Sequence, residues 1–66
     1  MFITFNDMFG RYIRSASTIG RVIWFDNEDI IKIYDRENEC STYRYPDAEC
    51  AETSFDYIMR QLKGED

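Results

Sequence analysis

The stretch VIWFDNEDIIKIY, residues 22–34, sets two β-branched and aromatic runs on either side of a short acidic link. Val22, Ile23, Trp24 and Phe25 suit a pleated, half-buried surface, and Ile30, Ile31, Lys32, Ile33 and Tyr34 repeat that character. Asp26, Asn27, Glu28 and Asp29 lie between them. Asn and Asp accept local backbone hydrogen bonds and tolerate left-handed backbone, so the link reads as a hairpin turn. A helix here would have to carry many β-branched residues and an Asp-Asn pair. Ile31 and Ile33 alternate with Lys32 and Tyr34, which turns both isoleucines toward a core.

Around this hairpin the chain supplies further strands. Phe2, Ile3, Thr4 and Phe5 form a strand candidate, and Asn6-Asp7 is a turn signal. Residues 6–16 carry two competing patterns. Phe5, Phe9, Tyr12, Ile13 and Ala16 recur at helical spacing, but Gly10 and the Ser15-Ala16-Ser17-Thr18 run oppose a helix. The favoured alternative makes residues 6–10 a turn and residues 11–14 a strand paired with the first. Residues 19–25 and 30–35 are the hairpin strands, followed by an acidic turn of Arg36, Glu37, Asn38 and Glu39. Residues 40–45 form a fifth strand, with Tyr43 and Tyr45 on one face and Thr42 and Arg44 on the other. Pro46 ends it, because proline cannot donate to a ladder.

The C-terminal segment has the pattern of an amphipathic helix. Asp47 is a good N-cap, and Ala48, Ala51, Phe55, Ile58, Met59 and Leu62 form one apolar stripe. Glu49 and Glu52 near its start, and Arg60 and Lys63 near its end, complement the helix dipole. Asp56 and Arg60 have i, i+4 spacing. Gly64 suits the position after a helix end, and Glu65-Asp66 reads as a frayed tail. The expected fold is α+β, one domain over residues 1–66. A small antiparallel, meander-like sheet of four to five strands carries the single C-terminal helix on one face. A domain this short holds a net stability of only about 3–5 kcal/mol. Its eleven aromatic residues are enough to build the core and leave some at the surface, where a homodimer or a partner contact becomes open to it.

The chain lacks histidine, which removes the Ser-His-Asp and Cys-His constellations and the commonest transition-metal ligand. Cys40 and Cys50 cannot make a four-cysteine zinc site, and nine intervening residues is not a zinc spacing. They read as small apolar core residues. Cys50 has a second reading, as a thiolate stabilised near the helix N-terminus. Asp26, Glu28 and Asp29 cluster in one loop but lack the Asp-x-Asp-x-Asp-Gly spacing of an EF-hand. No phosphate-cradling glycine motif is present. The expectation is a non-enzymatic protein without a metal or cofactor.

Charge is distributed unevenly. The chain carries −5 overall, yet residues 1–25 hold Asp7 against Arg11, Arg14 and Arg21, while residues 26–66 hold twelve acids against five bases. Such an acidic body repels nucleic acid and attracts basic surfaces. The expected contact set is Asp26, Glu28, Asp29, Asp35, Glu37 and Glu39 in two neighbouring turns, with Trp24 and Tyr34 beside them. A meander places those turns at opposite ends of its sheet, and the acidic helix face adds Glu49, Glu52 and Asp56 to the same docking surface. The favoured function is a small acidic protein-binding module that docks on a basic surface of a partner protein. The alternative is a structural homo-oligomer assembled through an apolar sheet face or edge. A third class, weak nucleic-acid binding, rests on Arg11, Arg14 and Arg21 beside Phe9, Tyr12 and Trp24. The N-terminal MFITFND lacks the regions of a signal peptide, and no apolar run approaches a membrane span, so the expected location is the cytoplasm with reduced thiols.

The stretch FGRYIRSASTIGRVIWF at 9–25 and the segment PDAECAETSFDYIMRQL at 46–62 cover about half the chain. In size, charge and layout they give it a form that resembles small phage and mobile-element proteins, among them anti-defence inhibitors of the anti-CRISPR type. That resemblance implies a stoichiometric protein-binding role in a bacterial cytoplasm. It carries over no individual functional residue, because that class shares no common site.

Overall fold

The N-terminal ambiguity resolves as strands. In the computed structural model, which describes residues 1–64, β1 (Phe2–Asp7) and β2 (Gly10–Ser15) form an antiparallel hairpin. Asp7 builds the turn, since its Oδ1 accepts from the N–H groups of Phe9 (2.9 Å) and Gly10 (3.1 Å). Ile3 and Phe5 are buried on the inner face, so the period of two prevails over the helical spacing that runs from Phe5 to Ala16. The tail expected at Glu65-Asp66 lies outside the described residues.

The second sheet is a meander of β3 (Ile19–Ile23), β4 (Ile30–Asp35) and β5 (Cys40–Arg44) in the order β3-β4-β5. Ile31 and Ile33 are fully buried, as their alternation requires. Trp24 and Phe25, expected in the third strand, lie beyond its end. The Trp24 indole donates to the Glu28 carbonyl (2.8 Å), Glu28 N–H donates to the Phe25 carbonyl (3.0 Å), and Asn27 takes φ 68°. This local bonding curls the backbone into a wider loop than the four polar residues alone would make.

The expected single sheet is thus two sheets, one of two strands and one of three, with all pairings antiparallel. The division falls at Ala16–Thr18, a single 3-10 turn between β2 and β3. Thr18 Oγ1 donates to the Ser15 carbonyl (2.8 Å), and the Ser15 and Ser17 hydroxyls share a hydrogen bond (2.9 Å). Short hydroxyl side chains satisfy the chain locally here, in place of a ladder from β2 to β3. The sheets meet through aromatics: Tyr43 of β5 lies edge-on to Phe5 and to Tyr12, each at 4.9 Å between ring centroids.

The helix α1 (Ala48–Leu62) packs on β1 and β4. Asp47 caps it by accepting from Cys50 N–H (2.8 Å), and Gly64 follows its end with φ 81°. Ala51 and Ile58 of the expected stripe are fully buried, and Phe55 packs beside Trp24 at 6.0 Å. The cysteines depart from expectation, for both are exposed. Tyr43 and Tyr45 point inward, so alternation places Cys40 on the outer face with Thr42 and Arg44. Cys50 falls beside the helix stripe, not within it.

Candidate functional site

The six acids of the two turns do not share one surface. Asp26, Glu28 and Asp29 sit in the β3–β4 loop, and Asp35, Glu37 and Glu39 lie at the opposite end of the meander. Two of the six hold the backbone in place. Asp35 Oδ1 accepts from the N–H groups of Glu37 and Glu39, both at 2.9 Å, and Asn38 takes φ 70° in the same turn. The Asp29 carbonyl accepts from Tyr45 N–H at 2.8 Å, tying the loop to the chain that leads into α1. Trp24 is half-buried against Phe55, and Tyr34 lies beneath the Arg21 guanidinium at 4.3 Å. Both aromatics therefore have partners within the chain.

The structure brings a different acidic set together. Asp26 and Asn27 of the loop face Glu49 and Glu52 of the first turns of α1 across an open cleft floored by Trp24 and Ala48. Phe25, next to Asp26, is 63 % exposed. Hydropathy alone gave no means of telling Phe25 from Trp24, because only the indole finds a carbonyl to bond. Glu49 and Glu52, expected on the acidic helix face, stand more than twenty residues from Asp26, and the fold sets them across the cleft from it.

A second groove, of about 440 Å³, runs between the β1–β2 turn and α1, lined by Asn6, Met8, Tyr45, Pro46, Cys50 and Tyr57 among others. Two of its groups, Cys50 and Tyr45, are held more firmly in their neutral forms. Hydrogen bonding to the Asp47 carboxylate, then desolvation and the charge of Asp47 and Glu49, push the Cys50 thiol up. That direction runs against the thiolate reading of Cys50, because the capping carboxylate beside it favours the protonated thiol. Burial pushes the Tyr45 phenol up, partly offset by its hydrogen bond with Ser54 (2.8 Å between oxygens). No group of three or more Cys, Asp or Glu side chains among the described residues is placed to hold a metal ion.

The arginines of the N-terminal third are dispersed. Arg14 donates to the Tyr43 hydroxyl (3.2 Å), Arg21 covers Tyr34 on the other sheet, and Arg11 is exposed on β2. The surface that sequence reasoning missed is the hairpin itself. Phe2 and Ile13 are 68 % and 67 % exposed on its outer face, and Phe9 at its turn is 74 % exposed. The available signal was apolar character on both faces of the FITF run, where a half-buried strand shows it on one.

No helix among the described residues is long and apolar enough to cross a membrane. Comparison of the chain with known protein families, with curated protein sequences and with solved structures gives no match.

Proposed function

We propose that the protein is a non-enzymatic protein-binding module, a stoichiometric inhibitor or accessory factor, that docks on a basic surface of a partner protein. The contact is the end of the molecule formed by the β3–β4 loop and the first turns of α1. One observation carries this reading: Asp26, Glu49 and Glu52 line one cleft, and Phe25, between the lining residues Trp24 and Asp26 in the chain, is 63 % exposed. An apolar side chain bordered by like charges supplies the two ingredients of a docking site. The ring gives buried area, and the carboxylates steer association with a basic surface. The role is the one implied by the resemblance to small phage anti-defence proteins, and it needs neither a cofactor nor a catalytic residue. Asp35, Glu37 and Glu39 lie too far around the sheet to join the same contact.

The test begins with capture from a bacterial lysate and identification of the bound protein by mass spectrometry. Association kinetics are then measured against salt for the wild type, for a triple variant Asp26→Lys, Glu49→Lys, Glu52→Lys, and for Phe25→Ala. The triple variant should associate at least about tenfold more slowly and lose most of the salt dependence. Phe25→Ala should mainly speed dissociation. Unchanged kinetics in both variants would remove this end of the molecule as the contact.

A further inference from the structure

We infer that the β1–β2 hairpin is a self-association surface, on which two copies of this chain pair β2 against β2 antiparallel and join their hairpins into one four-stranded sheet. The inference is independent of the acidic docking end, because no residue of β2 lines that cleft.

It starts from the unpaired edges. In the hairpin Ala16 N–H donates to the Met1 carbonyl (2.9 Å), and antiparallel hydrogen-bonded pairs alternate from there. Ile3 with Arg14, Phe5 with Tyr12 and Asp7 with Gly10 therefore exchange hydrogen bonds across the hairpin. The backbone groups of Thr4 and Asn6 point away on one side, and those of Arg11 and Ile13 point away on the other.

Each of the other outer edges is interrupted. On β1, the Gln61 side chain occupies Thr4, accepting from its N–H (2.9 Å) and donating to its carbonyl (2.7 Å). On β5, the Arg44 carbonyl is taken by Met8 N–H (3.0 Å). β3 carries a bulge between Ile19 and Arg21, a device that twists a strand out of register. Among the described residues β2 pairs only with β1, and neither an inserted side chain nor a bulge interrupts Arg11 to Ile13 on its other side.

The side chains fit a second copy. Pairing Ile13 with Ile13 of the second copy sets Arg11 opposite Ser15 and Tyr12 opposite Arg14, so no like charges face each other. The same register stacks isoleucine on isoleucine on the outer face, with Phe2 diagonal to Ile13 on the neighbouring strand. Beside it runs a shallow groove lined by Thr4, Asn6, Arg11, Ile13 and Tyr57. A stable dimer buries about 800 Å² per partner, roughly a sixth of this chain's 4663 Å² surface. Five of the seven large apolar side chains exposed among the described residues (Met1, Phe2, Met8, Phe9 and Ile13) lie on or beside this hairpin.

The test is sedimentation velocity over a wide concentration range, with amide hydrogen exchange on the same samples. The wild type should show a monomer–dimer equilibrium, and the Arg11 and Ile13 amides should be protected at high concentration and lose protection on dilution. Ile13→Glu sets two carboxylates opposite each other at an exposed position. It should weaken the dimer by about tenfold or more while leaving thermal unfolding of the dilute protein in place. Asp26→Lys, at the acidic end, should leave the dimer unchanged, which separates this surface from the docking end. A chain that stays monomeric at every concentration overturns the inference. So does a dimer whose Arg11 and Ile13 amides exchange freely, a result that needs no variant.

Discussion

Gln61→Ala tests whether a helix side chain stands in for a missing strand. The Gln61 amide makes both hydrogen bonds that a neighbouring strand residue would make with Thr4, at 2.9 and 2.7 Å. Each such bond contributes a net of about 0.5–1.5 kcal/mol. The alanine recovers a few tenths of a kcal/mol in helix propensity. The net loss is then about 1–2 kcal/mol, against a total stability of about 3–5 kcal/mol for a domain of this size. For a chain this short, that lowers the thermal midpoint by roughly 5–15 °C. Circular dichroism measures the midpoint, and amide exchange at Thr4 reports the site, where protection should fall. Gln61→Glu supplies an internal control: its carboxylate still accepts from Thr4 N–H but cannot donate to the carbonyl, so it should fall between the two. A Gln61→Ala midpoint within about 2 °C of the wild type, with Thr4 still protected, would refute the reasoning.

Two further substitutions probe the backbone and the helix start. A Cβ at Gly20 would lie 2.8 Å from the Asp35 carbonyl oxygen, where β3 and β4 approach at the bulge. Gly20→Ala should therefore cost about 1–3 kcal/mol in denaturant unfolding, and a neutral result would mean that the bulge opens freely. Asp47→Asn keeps an N-cap acceptor but removes the charge. Hydrogen bonds from Cys50 lower the Asp47 carboxyl from its ordinary 3.8, so its contribution to stability is present above that value and is lost as pH falls through the folded pKa. The variant should lack that part of the acid unfolding limb. The same substitution should let the Cys50 thiol fall toward its ordinary range and speed its alkylation near pH ~8.5, where a free thiol is half ionised. An unchanged alkylation rate would mean that Asp47 does not hold the proton.

What was legible in the sequence was written in short-range pattern. The Asp47 cap, the stripe through Ala51 and Ile58 and the terminal Gly64 all act within a turn or two of the helix. Ile31 and Ile33 declared their face by alternation, and Tyr43 and Tyr45 theirs. Alternation from the same tyrosines also places Cys40 outside, where the general tendency of cysteine to be buried pointed the wrong way. The acidic end was half legible: Asp26, Glu49 and Glu52 were in view as acids, but which of the acids share one cleft, and that Phe25 is exposed, appeared only once α1 was docked.

By itself, then, the sequence determined the element types, their caps and most inward faces, because these follow from hydrogen bonds and periodicities spanning a few residues. Tertiary structure alone decided that the strands divide into two sheets, since that depends on β2 and β5 meeting through Tyr12 and Tyr43, far apart in the chain, and not through a β2–β3 ladder. It alone decided which edges are closed. The bond that closes β1 joins Thr4 to Gln61 across 57 residues, and no local pattern records so distant a partner. The open edge of β2 is its counterpart, visible only when every other edge has been accounted for.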